Sequence, residues 1–142
     1  MRLFLAAAAA ALASLTLPAQ AVQDTPVSIN GVDTVCTGVG SAKDDPRWSA
    51  YPVKIVLATT GGADLANAHI SLTKAGAEVA GLDCDAPWVL FKPPAGSYVA
   101  TATLIGSGAS AHSAGFTTSG SGAQKEITIT FQRPSNATPP TQ

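Results

Sequence analysis

With 142 residues, 46% of them hydrophobic and 12% charged, the chain has room for one domain with a buried core and not for several. Eight Lys and Arg stand against nine Asp and Glu, a formal net charge of −1, and the basic residues are scattered singly. Nucleic acid and other polyanions need a concentrated basic face, so the composition argues against both as partners.

The chain opens with one positive charge, Arg2, an apolar run from Leu3 to Leu17, and Pro18-Ala19-Gln20-Ala21. This is the pattern of a secretory signal peptide cleaved after Ala21, so residues 1–21 are assigned to it. The apolar run is about fifteen residues, short of the roughly twenty that span a bilayer, and no second run follows. No membrane insertion is expected after cleavage, and no Cys follows the cleavage site to carry a lipid. The expected location is periplasmic or secreted.

Residues 22–133 are assigned to one domain and 134–142, rich in Pro, Thr, Ser and Asn, to a disordered C-terminal tail. Within the domain, apolar residues recur with period two and Gly or Pro interrupts about every ten residues, an all-β rhythm. A first strand is predicted over Val27 to Thr37, with Gly31 as a bulge or bend. Ser41 to Ala50 reads as a polar connection. Val53, Ile55 and Leu57 mark a second strand, ending at a Gly-Gly turn, and Ala68, Ile70 and Leu72 a third with His69, Ser71 and Thr73 outward. Further strands are predicted over Glu78 to Asp83, Trp88 to Phe91 and Tyr98 to Ile105, the last with Val99, Thr101 and Thr103 opposite Tyr98, Ala100, Ala102 and Leu104. Ala111 to Thr117 is a further candidate, and Ile127, Ile129 and Phe131 mark the final strand before Pro134. These elements predict a seven- to eight-stranded antiparallel sandwich.

Cys36 and Cys84 are the only cysteines, an even number in a chain bound for an oxidising compartment, and are expected to form a disulfide. The loop closed is close to fifty residues, for which chain entropy suggests about 4 kcal/mol of stabilisation. A thiol-redox or metal site is the competing reading, but no C-x-x-C spacing or nearby His supports it.

Phe91-Lys92-Pro93-Pro94-Ala95-Gly96-Ser97-Tyr98-Val99-Ala100 resembles the F-x-x-P-P-G-x-Y-x-V-x-A strand pair of carboxypeptidase regulatory-like domains. Leu65 to Leu72 followed by Gly76-Ala77-Glu78-Val79 resembles a second hairpin of that family, with Asp64 and Asn67 replacing its Pro and Gly. The resemblance implies a transthyretin-like (prealbumin-type) sandwich that serves as a binding or structural module. The frame from Asn30 through Cys36 to Trp48 is similar to small exported proteobacterial proteins of unassigned function. Transthyretin-like hydrolases end in Tyr-Arg-Gly-Ser, whereas this chain ends in Pro139-Pro140-Thr141-Gln142, so their activity is not carried over.

Asp44, Asp45, Arg47, Trp48 and Tyr51 form the densest polar and aromatic cluster and are the candidate binding residues. Trp48 and Tyr51 offer rings to a sugar or peptide, and Arg47 a bidentate partner for a carboxylate. The structural alternative is a packed loop in which Asp45 caps a turn begun by Pro46, Arg47 bonds a carboxylate and Trp48 covers the sandwich. Asp44, Asp45, Asp83 and Asp85 supply oxygens for Ca²⁺ only at spacings no known loop uses. His69 and His112 lack the further ligands a Zn²⁺ site needs, so no metal and no cofactor is expected. Tyr98 is expected to make a hydroxyl-to-backbone bond, Trp88 to pack over the disulfide and Lys92 to project outward. Ser119-Gly120-Ser121-Gly122-Ala123-Gln124-Lys125 resembles the loop with which small periplasmic lysozyme inhibitors enter their target, without its aromatic end. Asn136-Ala137-Thr138 fits a glycosylation acceptor.

The expectation is an exported, non-catalytic binding or accessory module for a carbohydrate or protein of the cell envelope. The alternatives are an inhibitor of a cell-wall hydrolase acting through Ser119 to Lys125 and, behind it, a hydrolase.

Overall fold

The computed structural model describes residues 22–132. The assigned signal peptide, the C-terminal tail and the Asn136 acceptor lie outside them.

Strands β1 (Val27–Ile29), β2 (Val32–Thr37), β3 (Val53–Thr59), β4 (Ala68–Lys74), β5 (Ala77–Cys84), β6 (Trp88–Lys92), β7 (Gly96–Leu104), β8 (His112–Thr118) and β9 (Lys125–Phe131) form two sheets. One has the order β1-β2-β6-β3-β9 and the other β5-β4-β7-β8. The molecule is thus an all-β sandwich, and its inner faces carry the alternating residues read from the sequence: Val53, Ile55 and Leu57 meet Ile70 and Leu72 and Tyr98, Ala100 and Ala102 in one buried cluster with Phe91 and Phe131. Burying each large apolar side chain here contributes about 1.5–3 kcal/mol.

Three expectations change. The first predicted strand is a hairpin, β1 against β2, because Asn30 and Gly31 both take positive φ (50° and 80°) and form its two-residue turn. Nine strands result instead of seven or eight. The sheets are not wholly antiparallel: β9 runs parallel to β3, Ile55 beside Ile127 and Leu57 beside Ile129. Such pairing needs a long crossover, here most of the domain. The Ser41 to Ala50 connection contains two 3-10 turns, Gly40–Asp44 and Pro46–Ala50.

Cys36 on β2 and Cys84 on β5 form the expected disulfide, with Cα atoms 5.6 Å apart. The two strands belong to different sheets, so the bond staples the layers together at one side of the sandwich. Tyr98 donates its hydroxyl to the Pro94 carbonyl at 2.6 Å, holding the Pro-Pro turn against the start of β7. Burial of this ring pushes the Tyr98 phenol pKa up. The Trp88 ring lies against Gly38, where a Cβ would meet ring carbons at 2.7 and 2.8 Å and φ is 110°, so only glycine fits. The Lys54 ammonium sits 3.4 Å from the Trp88 ring centroid and 3.6 Å from the Glu126 carboxylate.

Candidate functional site

Strand β2 is buried on both faces. Thr34 and Cys36 point into the sandwich, but Val35, and Leu90 opposite it on β6, point outward and are still fully buried. The segment from Gly40 to Pro52 causes this. Asp45 is the N-cap of the second 3-10 turn, accepting from the Arg47 amide at 2.9 Å, and Pro46 begins the turn. Trp48, 4% exposed, packs with Tyr51, Val35 and Leu90 into a second small core, and its indole N–H donates to the Ala42 carbonyl at 2.7 Å. Gln124, from the far end of the chain, donates to the carbonyls of Trp48 and Tyr51 and pins the segment down.

The candidate binding cluster therefore divides. Trp48 and Tyr51 meet edge to face at 6.1 Å inside the small core, and burial pushes the Tyr51 phenol up; neither ring presents an open face to a sugar. Arg47 is exposed, but its guanidinium holds both Asp45 carboxylate oxygens at 2.7–3.2 Å and lies 4.8 Å from the Trp48 centroid. That pairing lowers the Asp45 carboxyl and raises the guanidinium. Only Asp44 of the five stands exposed without a recorded side-chain bond, so the arrangement matches the packed-loop alternative rather than a stacking platform.

Among the described residues no segment covers the outer face of the other sheet. Strand register sets its side chains in rows. Gly81, Ser71, Thr101 and Ser113 lie abreast on β5, β4, β7 and β8; beside them run Asp83, His69 and Thr103, then Thr73, Val99 and Gly115, then Ser97 and Thr117. The Thr101 and Ser113 hydroxyls bond each other at 2.8 Å, and Thr73 donates to the Val99 carbonyl at 3.3 Å. His69 Nδ1 lies 2.7 Å from Asp83 Oδ1, so the carboxylate orients the ring and leaves Nε2 free of it. Except for this pair and Glu78, which is paired with Thr73 and lays its carboxylate over Gly81, the rows hold no ionisable group, and Val99, 41% exposed, is their only aliphatic side chain.

Sequence periodicity predicts His69, Ser71 and Thr73 outward on β4 and sets Val99, Thr101 and Thr103 together on one face of β7. It does not show that these rows align across strands, because register is a property of pairing rather than of any one strand.

The remaining candidates are tied into the fold. In the Ser119 to Lys125 loop, Gly120 packs against Ala95, Gln124 is engaged with the covering segment, and Lys125 Nζ donates to the Thr117 carbonyl at 3.0 Å. His112 stacks on Phe131 with centroids 4.5 Å apart, and Lys92 is exposed as expected. Among the described residues no three His, Cys, Asp or Glu side chains converge on a metal position, and no helix is long and apolar enough to cross a membrane. The chain matches no model of a known protein family and no curated protein.

Proposed function

We propose that this protein is an exported, non-catalytic binding module of the carboxypeptidase regulatory-like, transthyretin-like kind, and that it engages hydroxyl-rich glycan chains of the cell envelope through the outer face of the β5-β4-β7-β8 sheet. The carrying observation is the ordered array of Ser71, Thr73, Thr101, Thr103, Ser113 and Thr117 on a face that contains no Lys or Arg. A hydroxyl both donates and accepts and turns to suit its partner, as sugar hydroxyls do. An uncharged ligand needs no counter-charge, and Val99 provides an apolar spot for a sugar C–H face. The Asp83–His69 pair holds an imidazole in a fixed orientation at the end of the array.

Binding is favoured over catalysis by the same geometry. The Asp83, His69 and Thr103 row contains the residue types of a nucleophilic triad, but no hydrogen bond joins His69 to Thr103. The inhibitor reading draws less support, because Gln124 and Lys125 of its loop are turned into the protein.

The test is an amide chemical-shift titration of isotopically labelled protein with chitooligosaccharides and soluble peptidoglycan fragments. The expected result is a set of shifts confined to Ser71, Thr101, Thr103 and Ser113 and lost in Thr101→Lys. Shifts centred on Asp44 to Arg47, or none with either glycan, would overturn the proposal.

A further inference from the structure

Residues 22–26, ahead of β1, make contacts that no strand requires. The register of β1 on β2, Val27 opposite Thr34, would set Asp24 opposite Thr37 if it continued. It stops, because Pro26 has no N–H to give the ladder. Upstream of Pro26 the chain makes a tight turn, in which the Thr25 amide donates to the Val22 carbonyl at 3.3 Å and Asp24 takes a φ of 63°. That is the left-handed region, which a residue with a side chain enters at a cost and keeps only where contacts fix it.

Three bonds fix it here. The Asp24 amide donates to the Cys36 carbonyl at 2.8 Å, the Thr37 hydroxyl donates to Asp24 Oδ1 at 2.7 Å, and the Gln23 side-chain amide donates to the Asp85 carbonyl at 2.9 Å. Cys36 and Thr37 end β2, and Asp85 directly follows Cys84 at the end of β5. The turn therefore spans the same two strand ends, in different sheets, that the disulfide joins. Residues 22–26 are all exposed, whereas Cys36 is 0% and Cys84 2% exposed.

We propose that residues 22–26 are a strap that gates reduction of the Cys36–Cys84 disulfide. A reducing thiolate must touch one of the two sulfurs before exchange begins, and in the strapped molecule both are out of its reach. Held by three bonds on exposed residues, the strap opens at far less cost than the sandwich unfolds. Attack by a dithiol then breaks the S–S bond, joins the reagent's sulfur to one cysteine and releases the other as a thiolate, which takes a proton from solvent. The reagent's second thiol displaces the first cysteine and closes a disulfide of its own, so two electrons pass to the protein. The lability of the bond to thiols is thus set by the strap and not by the stability of the whole domain. The proposal does not depend on what the open sheet face binds.

Reduction of the disulfide-bonded protein by dithiothreitol, followed by alkylation and intact mass at a series of low urea concentrations, tests it. The wild type is expected to be reduced at a rate nearly independent of urea below the unfolding transition, the mark of a local opening. Gln23→Ala combined with Asp24→Ala removes both side-chain bonds and is expected to raise that rate about tenfold, while the urea midpoint of unfolding moves little. Gln23→Ala alone keeps the Asp24 bonds and is expected to fall between the two. A wild-type rate that climbs steeply from the lowest urea, as global unfolding requires, overturns the proposal. So does a double variant reduced no faster than wild type, or one whose faster reduction is matched by an equal loss of global stability.

Discussion

The two sheets treat their outer faces in opposite ways. On the β1-β2-β6-β3-β9 sheet, Val35 and Leu90 point away from the sandwich, and a thirteen-residue segment, Gly40 to Pro52, folds back to bury them under Trp48 and Tyr51. On the β5-β4-β7-β8 sheet the outward positions are mostly Ser, Thr and Gly, with Val99 and the Asp83–His69 pair among them, and no segment of the described residues covers them. The aromatic residues that look most like a ligand platform in the sequence are thus buried in the fold, and the small hydroxylated ones stand on the open face. Ring size is a poor guide to a binding surface when the strand beneath carries outward aliphatic residues that must be kept from water.

Substitutions on each sheet test this contrast. Replacing both Cys36 and Cys84 by Ala removes the staple between the sheets and is expected to lower unfolding stability by about 4 kcal/mol in a urea titration. On the covered face, Trp48→Ala is expected to cost about 3 kcal/mol by the same measurement, leaving glycan-induced shifts on the other sheet unchanged. A Trp48→Ala variant that keeps full stability and loses glycan binding would reverse the assignment of the two faces.

Tyr98→Phe removes one buried hydroxyl bond and is expected to cost about 1 kcal/mol. The wild type also loses stability at high pH. Tyr51 and Tyr98 both have phenol pKa values raised by burial, so the folded protein keeps protons that the unfolded chain releases above about pH 10. Their contribution is full below that pH and disappears as pH rises through the folded values. Thermal melts from pH 8 to 12 check this, with Tyr98→Phe expected to show a shallower fall. Smallest of all, Arg47→Ala is expected to leave the melting temperature within error, because its pairing with Asp45 is exposed to solvent. On the bare face, Thr101→Lys is expected to be equally silent in stability while abolishing glycan shifts.

Much of the sandwich was legible in the chain. The alternation at Val53, Ile55 and Leu57, and again from Tyr98 to Leu104, reports one buried and one open face, and the structure keeps both patterns. The β1–β2 hairpin was missed although its signal, Asn30-Gly31 between apolar runs, is among the strongest short-range turn signals. The covering role of Trp48 is legible in the sequence as the packed-loop reading. Its clue lies in β2, where Val32, Thr34, Val35, Cys36 and Thr37 are all buried and alternation fails, as it does in strands covered on both sides. The parallel pairing of β9 with β3 and the alignment of the hydroxyl rows were beyond reach, since both depend on contacts between distant segments that no local pattern encodes.

The β3–β9 pairing also bears on when this protein can fold. Ile55 has no neighbour on one side until Ile127 arrives, and Gln124, which pins the covering segment, comes almost as late. A chain emerging from its N-terminus therefore holds an incomplete five-stranded sheet, with a bare edge at β3, until nearly all of the domain is available. Pairing across so much sequence slows folding. The last strand thus acts as a timer on folding: it delays closure of the core until the C-terminal end of the domain is present.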